Sequence, residues 1–439
     1  MTAGRALVGL LILGGSAGLL VTGEDFFSRM LYLGLILAIG ARLWVVLVAR
    51  SLRLSRRPDF WRASVGDILK EQYEIENVGR LPAGWVEVYN EMPIPMGAGS
   101  RLLTRLSPRQ KQVFVARTWL TRRGSFPVGP TLLTTADPLG LFTVKRRFPA
   151  QRSLVVLPMI FPIKGFMSPP GIISGGRVIR RKAMEITPHA SGVRGYVTGD
   201  PMKRIHWPTS VRRGELIVKE FEQDPQSEVW IFVDAQQGAQ AEKTYEAPAV
   251  PVQNLLFSRK PALALPPSTL EYEISIAASL AHYFLGQKRA VGLVAQDRTY
   301  AMISAERSER QEAKILEMLA FLEGRGVLSI AALASAHGRL LPSGSSVILV
   351  TSSTSADLVL AADDLQRRRL RPVVLLLVAA TFGGAPGTDE IAARLQHQRV
   401  PLRLVECDAN LSDVLSVIPP LYDSQEMATW QEPVLSHLT

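Results

Sequence analysis

The chain has 439 residues, enough for two or three domains, each with its own core. Its formal charge of +11 narrows the partners of a basic surface to nucleic acid, anionic lipid or an acidic protein. The single cysteine, Cys407, excludes an internal disulfide and a thiolate metal cluster, and suits a reducing compartment.

Ala6 to Val21 and Met30 to Ala49 are apolar runs, the second broken by Arg42. The second is long enough to cross a hydrocarbon core of about 30 Å at ~1.5 Å per residue. A signal peptide would be followed by a small-residue cleavage site and polar mature sequence; a second apolar span follows instead. A two-helix transmembrane hairpin over residues 1–50 is therefore predicted. Glu24 and Asp25 lie in its link, Arg5 before it, and a dense arginine cluster after it, so the positive-inside rule puts both ends in the cytoplasm. Arg50, Arg53, Arg56 and Arg57 are expected to meet anionic headgroups of the bilayer. Arg42 reads as snorkelling to the cytoplasmic interface, because the first helix offers it no acidic partner. Gly14 and Gly18 fit a small-residue packing pattern, which serves two helices or two protomers, so a homo-oligomer is compatible with it.

Residues 51–160 read as a small β-sandwich-like domain. Leu69, Tyr73 and Ile75 alternate with Lys70, Gln72, Glu74 and Glu76, the period of a half-buried strand. Trp85 to Tyr89, Gln112 to Leu120, Pro130 to Thr135 and Ser153 to Leu157 are further strands between Gly and Pro turns. Asp137-Pro-Leu-Gly-Leu-Phe142 is a turn with an apolar anchor. Residues 161–193, irregular and rich in Gly and Pro, read as a connector. Gly171 to Arg177 lacks the lysine-serine pair of a phosphate loop.

Residues 194–222 hold charges of both signs among aromatics: Arg194, Tyr196, Gly199, Asp200, Arg204, His206, Trp207, Ser210, Arg212, Lys219, Glu220 and Glu222. Two uses stay open, an internal salt-bridge lattice with Trp207 as packing anchor, or a partner interface. Glu215 to Glu222, where Leu216 and Val218 alternate with Ile217 and Lys219, reads as an edge or added strand entering the next domain.

Residues 223–420 alternate strand and helix. Val229 to Val233, Ala290 to Ala295, Val347 to Thr351, Val373 to Val378 and Val400 to Val405 are apolar runs. Glu271 to Gln287, Ser308 to Glu323, Ala356 to Arg369 and Ile391 to Gln398 are the helices between them. This predicts an α/β domain with a parallel sheet and flanking helices. Gln236 to Thr269 is a long loop at the carboxyl end of the first strand, and 421–439 is a tail.

Three blocks of 194–222 carry a family resemblance: Arg194-Gly-Tyr196-Val-Thr-Gly199-Asp200, Arg204-Ile-His206-Trp207, and Leu216-Ile-Val-Lys219-Glu220-Phe221-Glu222. Together they resemble the signature of the bacterial family called domain of unknown function 58. Arg123-Gly124, Asp137 to Phe142, Ala277 to Leu280 and Val291 to Val294 add to the likeness. The resemblance implies a von Willebrand factor A-like fold for 223–420 and a place in the bacterial cell membrane. It also implies work alongside a MoxR-type AAA+ ATPase. Proteins of that fold often hold a divalent cation at Asp-x-Ser-x-Ser; here the sequence is Asp234-Ala-Gln236-Gln237-Gly238, a degenerate site, so no metal is expected.

The reading is a non-enzymatic membrane-anchored scaffold or adaptor, with a role in envelope assembly open to it. Two alternatives are weighed against it. Asp200 and His206 are an acid/base pair with Arg204 as anion clamp, but no nucleophile accompanies them. Tyr196 and Trp207 among basic residues suit nucleic acid, but nearby carboxylates and the membrane cluster account for much of the charge, and no nucleic acid is expected. No cofactor or catalytic residue is assigned.

Overall fold

The computed structural model describes residues 3–94, 100–103, 105–150, 152–166, 190–197, 202, 205–221, 228–244 and 264–416. It opens with α1 (Ala3–Thr22) and α2 (Asp25–Ser51), both long and apolar enough to cross a membrane. They pack where side chains are smallest. A Cβ on Gly15 would sit 2.7 Å from the Leu31 amide nitrogen, and one on Gly34 2.8 Å from the Ile12 side chain. Gly15, Gly18 and Gly34 thus set the close approach within one chain.

One face of the last turns of α2 packs on protein. Val45, Val48 and Ala49 are buried, and Val48 joins Leu52 in the core of the β-rich part. That part runs through β1 (Leu52–Pro58), β2 (Arg62–Ser64), β3 (Ile68–Asn77), β4 (Val86–Asn90), β5 (Arg101–Leu103) and β6 (Lys111–Trp119). It continues with β7 (Gly124–Pro127), β8 (Thr131–Ala136), β9 (Thr143–Phe148) and β10 (Ser153–Leu157). Sheet β1-β3-β6 contributes Leu52, Tyr73, Ile75 and Phe114 to one core, and sheet β5-β4-β8-β9 contributes Val86, Val88, Leu103 and Leu133 to the same core. A third sheet, β2-β10-β7, closes over Leu154, Val156 and Leu120.

The arginine cluster after the hairpin is mostly strand β1, a correction to its reading as a uniform basic patch for lipid. Arg50, Arg53 and Arg57 are exposed. Arg56 turns inward: it pairs with the fully buried Glu71 at 2.5 Å, stacks over the Tyr73 ring, and donates to Thr131 Oγ1 at 3.2 Å. Strand alternation explains the sorting, since β1 pairs with β3 and places Arg56 opposite Tyr73. Burial raises the Glu71 carboxyl above its ordinary value despite the Arg56 charge and hydrogen bond that oppose this.

Leu157 to Phe166 does not begin a loose connector. Phe161 donates its amide to Ser279 Oγ at 2.9 Å, Phe166 donates its own to Tyr283 Oη at 3.1 Å, and the Phe166 ring meets Phe284 edge to face. The strap lies on the α/β domain because its apolar residues bury there. Beyond it come β11 (Ala190–Gly195), α3 (Trp207–Arg213) and β12 (Ile217–Phe221).

The remaining elements are β13 (Val229–Val233), α4 (Thr269–Gly286), β14 (Val291–Gln296), β15 (Tyr300–Glu306), α5 (Glu309–Ala320) and α6 (Ile330–Gly338). After these come β16 (Ser346–Thr351), α7 (Asp357–Arg367), β17 (Arg371–Leu377), α8 (Thr388–His397), β18 (Leu402–Val405) and α9 (Leu411–Ser416). Among the described residues the sheet has six strands in the order β15-β14-β13-β16-β17-β18. All neighbours are parallel except β15, an antiparallel edge whose alternating burial marks it as one-sided. Strand β13 is buried throughout because Val229, Ile231 and Val233 face α4 and α5, while Trp230 and Phe232 face α6 and α7. The strand order reverses between β13 and β16, so a crevice position arises where Asp234 and Thr351 leave those strands.

Candidate functional site

The 194–222 stretch folds as a small unit around β11 and β12, which pair antiparallel with Arg194 opposite Val218 and Val193 opposite Lys219. This corrects the expectation that the strand within 215–222 enters the α/β domain: the ladder partner of Ile217–Phe221 is β11. Helix α3 forms between Pro208, which suits a first helical turn, and Gly214, whose φ of 69° ends it. Ser210 fastens the helix to the ribbon. Its hydroxyl donates to the His206 carbonyl at 3.1 Å and accepts the Ile217 amide at 2.9 Å. The His206 amide donates to the Ile217 carbonyl at 2.7 Å, and the Tyr196 amide to the Leu216 carbonyl at 2.7 Å. The His206 ring is engaged locally, its Nδ1 lying 2.7 Å from Thr209 Oγ1.

Ile205, Ile217 and Val218 are the buried side of this unit, and Trp207 is not. Trp207 is 57 % exposed and Val211 80 %, one turn apart on α3. Leu216, Val197 and Met202 are exposed as well, and Arg212 and Arg213 stand beside them in solvent. Trp207 as a packing anchor is therefore corrected: the aliphatic residues do that work. Gly199, Asp200, Arg204 and Glu222 lie outside the described residues, as do the side chains of Arg194, Lys219 and Glu220. The Asp200–His206 pair and the salt-bridge lattice rest on these groups, so both readings lie outside the described residues.

The crevice at the strand-order reversal is closed. Asp234 Oδ2 accepts the Thr351 hydroxyl at 2.6 Å, and Oδ1 accepts the Gln236 amide at 3.0 Å. Gln240 donates to the Asp234 carbonyl at 2.8 Å and to Glu273 Oε2 at 3.1 Å. Asp234, Thr351 and Glu273 are all fully buried. Burial raises the Asp234 carboxyl above the usual range. Burial, then the Asp234 charge, holds the Glu273 carboxyl well above it. This set does not fit a hydrated divalent cation. Both Asp234 oxygens are committed to hydrogen bonds, no member is open to solvent, and Gly238 supplies no oxygen where a ligand serine would stand. Asp234 acts as a cap that ties β13 to β16, without an arginine partner among the described residues.

Residues 192–247 match the model of the family described as "Protein of unknown function DUF58". This segment is similar to the DUF58 family. No curated protein matches it. Among solved structures, a conserved hypothetical protein BatB from Bacteroides thetaiotaomicron is 14 % identical, covering 46 % of this chain and 98 % of its own, with a TM-score of 0.29. A cycloisomaltooligosaccharide glucanotransferase from Paenibacillus sp. is 8 % identical over 80 % of this chain and 52 % of its own, with a TM-score of 0.15. An exo β-N-acetylglucosaminidase from Vibrio harveyi is 7 % identical over 79 % of this chain and 59 % of its own, with a TM-score of 0.16. Superpositions this loose carry no argument about fold or activity.

The DUF58 match begins at residue 192, and one residue that joins the two halves of the chain lies well before it. Arg123, on the turn before β7, reaches the carbonyls of Leu319 and Leu322 and pairs with Glu271. Arg123-Gly124 was legible as a turn with a family likeness, but the carbonyls it reaches lie about two hundred positions away. Glu273 gave no signal either, being one carboxylate in an amphipathic helix.

Proposed function

We propose that this DUF58 protein is a membrane-anchored, non-enzymatic scaffold whose 190–221 unit docks a cytoplasmic protein partner. The observation that carries the reading is the exposed Trp207–Val211 pair beside Arg212 and Arg213, on a helix that Ser210 fixes in place. Exposed tryptophan with neighbouring arginine is the composition of interface hot spots, and a rigid base lowers the entropy cost of docking. The partner proposed is a MoxR-type AAA+ ATPase, as the family resemblance implies, with acidic residues to meet the two arginines. Arg5 at the start of α1, Glu24 and Asp25 where the two helices join and Arg50 in the last turn of α2 support a cytoplasmic location for both ends. The reversed strand order supports a von Willebrand factor A-like reading of the six-stranded sheet, and the shared core of two sheets supports a small sandwich for 52–157.

The test is co-purification of detergent-solubilised full-length protein with the MoxR-type ATPase of the same genome. Trp207→Ala and Arg212→Glu are each expected to weaken binding, the first by at least about 2 kcal/mol, or ~30-fold. Both should leave the unfolding midpoint close to wild type, since the side chains are exposed. Unchanged capture by both variants would remove the interface assignment.

A further inference from the structure

The turn Asp137 to Phe142 packs on the helix pair, and what it forms there has the chemistry of a lipid site. Leu141 buries between Val8 of α1 and Ala41 of α2. Arg5 Nε donates to the Leu141 carbonyl at 2.7 Å. The turn satisfies its own backbone: Asp137 Oδ2 accepts the Leu139 amide at 2.9 Å, Oδ1 accepts the Phe142 amide at 2.5 Å, and the Asp137 carbonyl accepts the Gly140 amide at 3.0 Å. Irregular backbone tolerates a nonpolar surrounding only when its polar groups are paired in this way. Leu139, at the tip, is 51 % exposed.

Depth points the same way. At ~1.5 Å per residue, Arg42 lies roughly 25 Å along α2 from Asp25, within a hydrocarbon core of about 30 Å. The turn beside it then stands at the acyl–headgroup boundary rather than in water. An apolar groove of about 470 Å³ opens there, lined by Ala38, Ile39, Leu43, Val46 and Phe142, with Arg42 as its charged member. The Arg42 guanidinium lies 6.0 Å from the centre of the Phe142 ring, and no carboxylate is paired with it among the described residues. An alkyl-lined slot with a guanidinium matches one end of an amphiphile to each part.

We infer that this groove binds one anionic phospholipid of the surrounding membrane, its acyl chain along α2 and Phe142 and its phosphate on Arg42. The site goes beyond the scaffold reading and shares with it only the membrane anchor. Arg42 is then a ligand-binding residue as well as a snorkelling one, and the β-rich part touches lipid through Leu139 and Phe142.

Native mass spectrometry of the full-length protein, released from detergent and titrated with phosphatidylglycerol and phosphatidylcholine, tests this. Wild type should prefer phosphatidylglycerol about fivefold, the ~1 kcal/mol one arginine gains at an anionic surface. Arg42→Gln should bring the ratio to about one, Arg42→Lys should keep most of it, and Phe142→Ala should weaken both lipids. Arg53→Gln, an exposed arginine on β1, should leave the ratio unchanged, and glycerophosphate without acyl chains should not compete. A wild-type protein without preference, an Arg42→Gln protein that keeps it, or full competition by glycerophosphate overturns the site. Carbonate extraction of membranes separates the two ideas: a chain released into the soluble fraction defeats the anchor, whereas a retained chain without lipid preference defeats the groove alone.

Discussion

Arg123 donates from its guanidinium to the carbonyl oxygen of Leu322 at 2.7 Å, across 199 positions of sequence. The same side chain reaches the Leu319 carbonyl and pairs with Glu271 in the first turn of α4. A buried arginine of the β-rich half thus caps the carboxyl end of α5, where carbonyls lack helical partners and the helix dipole favours a cation.

Removing that contact should uncouple the halves. Arg123→Ala strips charge-assisted hydrogen bonds worth about 1.5–3 kcal/mol each, and leaves carbonyls of a helix end unpaired. The expected result is two calorimetric transitions in place of one, with faster amide exchange around 319–323. Arg123→Lys should fall between, since an ammonium keeps the charge but not the fork. A single unchanged transition in Arg123→Ala would show that the Leu157–Phe166 strap and the Arg62–Glu317 pair hold the halves together without it.

Glu273 sets a pH dependence. Its carboxyl is held well above the ordinary value of 4.5, so between that value and the higher folded one the native state binds the extra proton. Stability must then fall as pH rises through that window, at up to ~1.4 kcal/mol per pH unit for one proton. Asp234, also raised, adds a slope of the same sign. Glu273→Gln should flatten the fall of the urea midpoint as pH rises above the ordinary carboxyl value of 4.5. A mutant slope equal to wild type would refute the assignment.

The Arg56–Glu71 pair should behave as a buried ion pair. Arg56→Ala leaves Glu71 without its partner and is expected to cost about 3–5 kcal/mol in denaturant unfolding. The double change Arg56→Met with Glu71→Leu should recover most of this, because no charge is then left buried. Equal losses in the single and double variants would count against the pair.

Gly15 predicts how the helix pair tolerates bulk. A Cβ there meets the backbone of Leu31, which has no rotamer to yield, so Gly15→Val should part α1 from α2. Gly9 has open space around it, so Gly9→Val should not. Crosslinking of cysteines placed at Val8 and Ala41, which share one packed cluster across the pair, reads the difference.

Much of the α/β half was readable in advance. Val347 to Thr351 and Val373 to Val378 were legible as covered strands because a strand buried on both faces needs an unbroken apolar run. Strand β15 escaped, since Tyr300 to Glu306 is a one-sided edge with alternating polarity, and helix α6 escaped because its alanines blur the period. In the β-rich half, β1 hid inside an arginine run whose alternation was masked by charge on both faces.

By itself the sequence determined the apolar helix pair, the alternation of strands and helices after residue 223, and the charged family stretch. Each of these is a local pattern, set by hydrophobic period or by residue spacing. Only the tertiary structure decided which charges are spent inside. Arg56 and Arg123 look like Arg53 and Arg57 in the chain, yet strand pairing turns the first toward Glu71 and domain contact buries the second against α5. It also decided that Trp207 faces solvent while Ile205, Ile217 and Val218 are buried, and that Asp234 closes onto Thr351. Those outcomes depend on partners far away in sequence, and no local period encodes them.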